Sequence, residues 1–540
     1  MIFLLTVVPK EEVIISLAHL KSKFVSRNKK GAPTLMIRIK SAFAMGIHAF
    51  PVDIEVDITN GLPQLILVGL PDTSIKEARE RVRTALKNSG FHISPDKITI
   101  SLAPADIKKE GAVFDFPIAM GILACHGILP PEKLANHIFI GELALDGTLR
   151  PLRGVLSITA GLKNASFVLP AENGKEAALA KDATVYPVNS LRETVDFLLG
   201  ERMIAPLRNI PYKNKAPSLN SPDFSEVCGQ QAAKRALEIA VAGGHKILFI
   251  GPPGSGKTML AKRIPGLLPP TDSEEALEIT KIHSVAGLLP RGDVLISERP
   301  FRSPHYTASA IALAGGGTSP RPGEMSLSHG GVLFLDELPE FRRDALETLR
   351  GPLEDGCITI SRAKNQVTFP ADFLLVAAMN PCMCGYLGDA RKTCRCSLGQ
   401  IHKYQSKLSG PVLDRIDIHI EVPALSFQTL TRQEPAESSA VIRERVIACR
   451  KIQRSRYRMR SYRTNSQMNP KDIKEFASPD LRGHKLIEMA MKELRLSARA
   501  YYKILKIART ISDLAGCEQI QSEHIAEAIQ YRSLDRQWYG

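Results

Sequence analysis

The apolar positions of this chain change period along its length. Val52, Ile54, Val56 and Ile58 alternate with polar residues, as in a strand with one buried face. Asn60-Gly61 then marks a turn. Ser74-Ile-Lys-Glu77 reads as a capping box opening a helix, with Ile75, Ala78, Val82 and Leu86 on one face and Gly90 as the stop. Ile98, Ile100 and Leu102 return to period two. From Phe224 the strands lose their alternation. Lys246–Ile250, Gly331–Leu335 and Phe373–Met379 are unbroken apolar runs, each suited to a parallel sheet covered on both faces. Beyond about residue 428 helical spacing dominates.

These shifts divide the chain. Residues 1–35 are a loosely attached extension or the product of an upstream start. Residues 36–200 form an α+β domain, and 201–223, with Pro206, Pro211, Pro217 and Pro222, a linker. Residues 224–427 form an α/β core, and 428–540 a helical domain. A chain of 540 residues exceeds what one core accommodates.

Charge changes the picture only locally. The formal net charge is +15, but residues 1–35 carry six Lys/Arg against two Glu, and residues 441–463 nine against one. Those segments hold 4 + 8 = 12 of the 15 charges. Local charge of this kind suits a phosphate backbone, or is a solvated helix face. No apolar run approaches the ~20 residues of a membrane span. The apolar start, Met1 to Val8, has neither a basic leader nor a cleavage site. The reading is a cytoplasmic protein without a membrane partner, in which nine cysteines are not disulfides.

The strongest chemical signal is Gly251-Pro252-Pro253-Gly254-Ser255-Gly256-Lys257-Thr258, between a strand and a helix. Its glycines let backbone amides approach phosphates, Lys257 reaches the β- and γ-phosphates of ATP, and Thr258 ligates Mg²⁺. Asp336, at the end of an apolar run, holds the magnesium. Glu337 orients and deprotonates the attacking water. Cys382, Cys384, Cys394 and Cys396 form a C-x-C pair of pairs: four thiolates for a structural Zn²⁺, or four free thiols. Two short strands, Cys357–Ser361 and Gln366–Pro370, flank Arg362-Ala-Lys364-Asn365 and read as a basic hairpin. In residues 450–463, arginines including Arg456, Arg458 and Arg460 interleave with tyrosines, either to contact DNA or as a solvated lid helix with a frayed end.

The acidic pair, Asn380 closing the next strand, and Leu413-Asp-Arg415-Ile-Asp together resemble an AAA+ ATPase. The resemblance implies that Asn380 senses the γ-phosphate. It makes Arg415 an arginine finger acting on the neighbouring subunit, and Arg499 the second sensor. A finger in trans implies a head-to-tail ring of identical chains. The basic hairpin resembles the pore hairpin of the helicase and magnesium-chelatase branch. Gly61-Leu-Pro63, Val68–Asp72, Leu102–Asp106 and Ala526–Arg532 extend the likeness from Met36 onward to the magnesium-chelatase-like family, competence-protein type. That family implies a hexameric ATPase that migrates branched DNA junctions. Residues 108–119 resemble the Lon peptidase domain, but Ile118 and Leu156 stand where its serine and lysine would be, so peptidase activity is not expected.

The fold expected is therefore an α/β P-loop AAA+ core, an N-terminal α+β Lon-peptidase-like domain and a C-terminal helical lid domain. The function expected is a DNA-directed motor using ATP and Mg²⁺. The alternatives are a chelatase-type or protein-remodelling ATPase and a nucleotide-binding scaffold; intact Glu337 and Arg415 weigh against the scaffold.

Overall fold

The computed structural model describes residues 36–532 except 60, 70–72, 95, 107–108, 110, 209–221, 291–294, 318–319, 362–365, 390, 427–435, 461 and 495. Residues 1–35, Asn60, and Arg362 and Lys364 at the hairpin tip thus lie outside the described residues, as does the Ser74 side chain of the capping box.

The front sheet has seven strands. They are β1 (Ile37–Met45), β2 (His48–Thr59), β3 (Gln64–Val68), β4 (Lys97–Ala103), β5 (His137–Phe139), and, after the small ribbon β6 (Glu142–Leu143) and β7 (Leu149–Arg150), β8 (Ser166–Pro170) and β9 (Thr184–Val188). Their spatial order is β3-β4-β2-β1-β5-β8-β9. β1, β2 and β4 pair antiparallel, the outer strands parallel. The alternation reaches the structure intact: Val52, Ile54 and Val56 are buried in β2, and Ile98, Ile100 and Leu102 in β4. Helix Thr73–Asn88 buries Ile75, Ala78, Val82 and Leu86 and packs on helix Asp115–Cys125, which itself lies on β1 and β2. Gly90 ends it in the left-handed region (φ 83), where its amide bonds Lys87 O and that of Phe91 bonds Leu86 O.

The second sheet is wholly parallel. Its strands are β10 (Ile247–Ile250), β11 (Phe301–Arg302), β14 (Val332–Leu335), β17 (Leu374–Met379) and β18 (Ile418–Glu421), in the order β11-β14-β17-β10-β18. Two ribbons accompany it: β12 (Gly315–Gly316) with β13 (Arg321–Pro322), and β15 (Cys357–Ser361) with β16 (Gln366–Pro370). The second ribbon is the hairpin expected from sequence, in register from Cys357↔Pro370 to Ser361↔Gln366. Every residue of β10, β14 and β17 is buried, as a sheet covered on both faces requires.

Packing and hydrogen bonds cross the expected divisions. The helical residues from Ile442 to Tyr531 share one hydrophobic cluster with Ala236, Ile239, Phe249 and Val376, so helices and sheet are built on common packing. The Pro-rich linker is anchored at both ends. Leu207 pairs with Val185 on the front sheet, and the Asp223 carboxylate accepts from Ser225 N and Ser439 N. The front sheet's helix Val155–Gly161 also docks on helix Ser273–Ala286, where Gly154 N bonds Ser284 O and buried Glu176 accepts from Leu156 N and Ser284 Oγ.

Candidate functional site

The glycine loop leaves the carboxyl end of β10, whose Ile250 pairs with Met379; Gly251 N donates to Met379 O at 3.2 Å. Ligands of open parallel sheets bind at such strand ends. Gly254 (φ 74) and Gly256 (φ 95) take the left-handed conformation that turns the chain into helix Lys257–Lys262. A Cβ on Gly251 would lie 2.1 Å from Val422 O, so the loop can pass β18 only as glycine. Gln230, itself left-handed, donates to Ser255 O (3.1 Å) and Pro423 O (2.7 Å) and ties the loop to the end of β18. No motif spacing in the sequence points to Gln230.

Lys257 is 9 % exposed. Its ammonium donates to Gly251 O (2.7 Å), Pro252 O (2.9 Å) and Asn380 Oδ1 (3.3 Å). Burial lowers its pKa, against the opposing fields of Asp336 and Glu337. Thr258 Oγ1 donates to Asp336 Oδ2 at 2.7 Å, and Asp336 Oδ1 accepts from Glu337 N at 3.0 Å. Glu337 is left-handed (φ 52) without being glycine, a conformation that costs about 1–3 kcal/mol and here follows the buried β14 directly. Its side chain is exposed.

The fold therefore brings Lys257, Thr258, Asp336, Glu337 and Asn380 to one loop mouth. A nucleoside triphosphate with Mg²⁺ fits these groups. Among the described residues Ser255 Oγ is buried in the loop without a partner, and Lys257 bonds only carbonyl and amide oxygens that a phosphate can replace. The Thr258 hydroxyl and Asp336 carboxylate, already adjacent, are hard oxygen donors of the kind magnesium takes.

Arg415 and Arg499 lie apart from this mouth. Arg415 is tied to Glu354 Oε1 (2.7 Å) and Pro411 O (2.7 Å), with its Nε buried and unpartnered. Arg499, at the start of helix Ala498–Leu514, is mostly exposed and lies 3.9 Å from Asp414.

The four cysteines converge just beyond Asn380. Their sulfurs all lie within 4.8 Å of one another, with Cys382–Cys384 at 3.4 Å, Cys382–Cys394 at 3.7 Å and Cys384–Cys394 at 3.6 Å. A tetrahedral zinc with bonds of ~2.3 Å separates its sulfurs by about 3.8 Å, so the donor set fits that ion. Backbone hydrogen bonds at Tyr386 and Arg395 bring the Cys384 thiol down to about 6. The knuckle touches the glycine loop: a Cβ on Gly385 would lie 2.6 Å from Pro253 Cδ.

The basic segment is corrected by the structure. Arg456 is engaged in a buried bidentate pair with Asp513 (2.7 and 2.6 Å) and a bond to Asn465 Oδ1, leaving it no role as an open phosphate contact. Tyr457 is buried with its hydroxyl on Asn465, and Tyr462 bonds Asp472; neither is a free stacking surface. Arg460 pairs with Asp472 at 2.9 Å, and exposed Arg458 remains. In the front domain Ile118 and Leu156 are buried and offer no nucleophile or base. Arg302, on β11, makes paired bonds to Glu324 (2.6 and 2.7 Å).

Three family models match the chain. "Magnesium chelatase, subunit ChlI" covers residues 223–430, "Subunit ChlI of Mg-chelatase" 54–173, and "Magnesium chelatase, subunit ChlI C-terminal" 436–532. Competence protein ComM of Haemophilus influenzae is 45 % identical over 508 residues, covering 92 % of this chain and 97 % of that protein. The uncharacterized protein YifB of Salmonella typhimurium is 43 % identical over 500 residues, 91 % and 96 % of the two chains. Lon protease 2 of Bacillus subtilis is 27 % identical over 197 residues, 31 % of this chain and 35 % of that one.

Proposed function

The chain belongs to the magnesium-chelatase-like family of AAA+ ATPases that includes ComM and YifB, and we propose on that premise that it is an ATP-hydrolysing ring motor acting on DNA. The observation that carries the hydrolytic part is the single loop mouth shared by Lys257, Thr258, Asp336, Glu337 and Asn380. Bound ATP with Mg²⁺ supplies the scissile phosphoanhydride and the charge neutralisation its cleavage needs. Lys257 exchanges loop carbonyls for phosphate oxygens, and Thr258 and Asp336 hold the ion. Asn380, already on the Lys257 ammonium, reports the γ-phosphate. Glu337, aimed outward by its left-handed backbone, takes the proton of the attacking water. Arg415 serves the neighbouring subunit's nucleotide, which requires a head-to-tail ring, a hexamer in this reading.

The DNA part rests on the family, on the printed name of ComM, and on exposed Arg458 of the basic segment. We assign the motor to branch migration in recombination or natural transformation, in the cytoplasm. Among the described residues no helix is long and apolar enough to cross a membrane. The Lon-like front domain, residues 36–200, serves binding or ring building. The helical domain from residue 428 acts as the lid, and Zn²⁺ on the four cysteines is structural. A labelled four-way junction incubated with the protein, ATP and Mg²⁺ should be converted to two forked duplexes. A junction left intact, or converted equally by Lys257→Ala, would refute the assignment. A chelatase-type remodelling role is the second reading, because all three matching family models carry that subunit's name.

A further inference from the structure

We propose that Lys503 and Arg532 are positioning residues for Arg415, through which the lid sets the arginine finger that faces the neighbouring subunit. This rests on the reading that Arg415 acts in trans.

The carbonyl of Ile416 accepts two charged donors at once, Lys503 Nζ at 2.9 Å and Arg532 Nη1 at 2.7 Å. Arg532 Nη1 also lies 3.4 Å from Asp417 O, and Lys503 Nζ 3.2 Å from Asp417 Oδ1. The second Asp417 oxygen accepts from Lys246 N at 3.0 Å, which fixes the carboxylate against β10. Two residues further, His419 N donates to Tyr531 O at 2.9 Å. Arg532 is 1 % exposed and Asp417 7 %.

Buried charges are costly, and apolar packing would join two helices at less expense. What these charges provide is position. Lys503 lies on helix Ala498–Leu514, and Arg532 follows helix Ser522–Gln530 directly. The residue on the other side of Arg415, Asp414, faces Arg499 at 3.9 Å. Arg499 and Lys503 are four apart and so share one helix face. That face holds the chain on both flanks of Arg415, at Asp414 and at Ile416–Asp417. The backbone at Arg415 therefore moves with the lid helix. Any lid displacement that follows nucleotide exchange is delivered to a guanidinium tethered by Pro411 O and by Glu354, 52 % of whose side chain is exposed.

Turnover and nucleotide binding separate this role from a merely structural one. In Arg532→Met and Lys503→Met, kcat for ATP should fall ~10-fold or more while the Kd of a fluorescent ATP analogue changes less than ~2-fold, the pattern of an interaction used only in the transition state. Arg532→Lys, which keeps one donor, should recover most of the rate. Mixing supplies the trans readout. Glu337→Gln subunits carry an intact finger beside an inactive site of their own. Added to Arg532→Met or Arg415→Ala subunits, they should raise hydrolysis above the sum of the parts. No gain with Arg415→Ala would overturn the trans reading itself. A gain with Arg415→Ala, but an unchanged kcat or no gain for both Lys503→Met and Arg532→Met, would overturn the clamp alone. If Arg532→Met is insoluble, Lys503→Met decides alone: a wild-type kcat in Lys503→Met refutes the proposal.

Discussion

Acid should open the lid, and His245 sets by how much. Its ring is fully buried at the junction of helix Gln231–Gly243 and β10, where a side chain on Gly243 would lie 2.3 Å from Nε2. Nε2 lies 2.7 Å from Thr510 Oγ1 on the lid helix. That hydroxyl already donates to Lys506 O, so Nε2 carries the proton and the ring is neutral. Burial is the main cause that lowers its pKa to about 4; Asp417 opposes the shift, while Lys506, Arg450 and Lys246 reinforce it. Burial works against the Asp417 carboxyl too, but Lys503, Lys246 and His245 outweigh it and keep it ionised well below the usual range. When the lid opens, His245 regains an ordinary value near 6.5. The open state then binds the extra proton, so closure is fully favoured above about pH 6.5 and weakens as pH falls toward 4. By about pH 5 the loss is about 2 kcal/mol, or ~30-fold in the opening equilibrium. Hydrogen exchange of the Ala498–Leu514 amides at about pH 7 and about pH 5, corrected for intrinsic rates, reads that ratio. In His245→Asn the ratio should collapse to near one. Equal protection of the wild type at both pH values, or the same loss in His245→Asn, would refute the reasoning.

Purified without chelator, the protein should hold about one zinc per chain, and Cys394→Ser should lose most of it; well under one equivalent would leave the cluster as free thiols. Arg456→Ala should destabilise the lid by about 2–3 kcal/mol, less than the ~3–5 of a buried charge left alone, because Arg509 and Asn465 still serve Asp513. Denaturant unfolding measures this, and the salt dependence of DNA binding should be unchanged. Arg458→Ala should do the reverse, lowering the salt slope by about one with stability intact.

The parts of this fold that sequence reveals are local. Period two in β2 and β4, the unbroken runs of β10, β14 and β17, and the glycines of the loop each carry their own signal within a few residues. The hairpin was legible to its end residues because its strands are adjacent in the chain. Strand β11 was not: two residues have no period, and Phe301 joins the sheet only by lying beside Val332. The basic segment misled for a related reason. Nothing near Arg456 marks it as buried, because its partner Asp513 lies 57 residues on. The clamp on Arg415 spans 87 and 116 residues of sequence and is formed by residues that individually read as surface charge. Gln230 was silent because its role depends on a left-handed backbone that no glycine announces.

The loop mouth is proposed to hydrolyse ATP in a cycle coupled to DNA. The most direct test is the steady-state ATP hydrolysis rate of the full chain alone, with single-stranded DNA and with a four-way junction, using Lys257→Ala as the blank. Hydrolysis should rise with DNA and vanish in the blank. Lys257-dependent hydrolysis indifferent to every DNA would contradict it and favour a chelatase-type remodelling role.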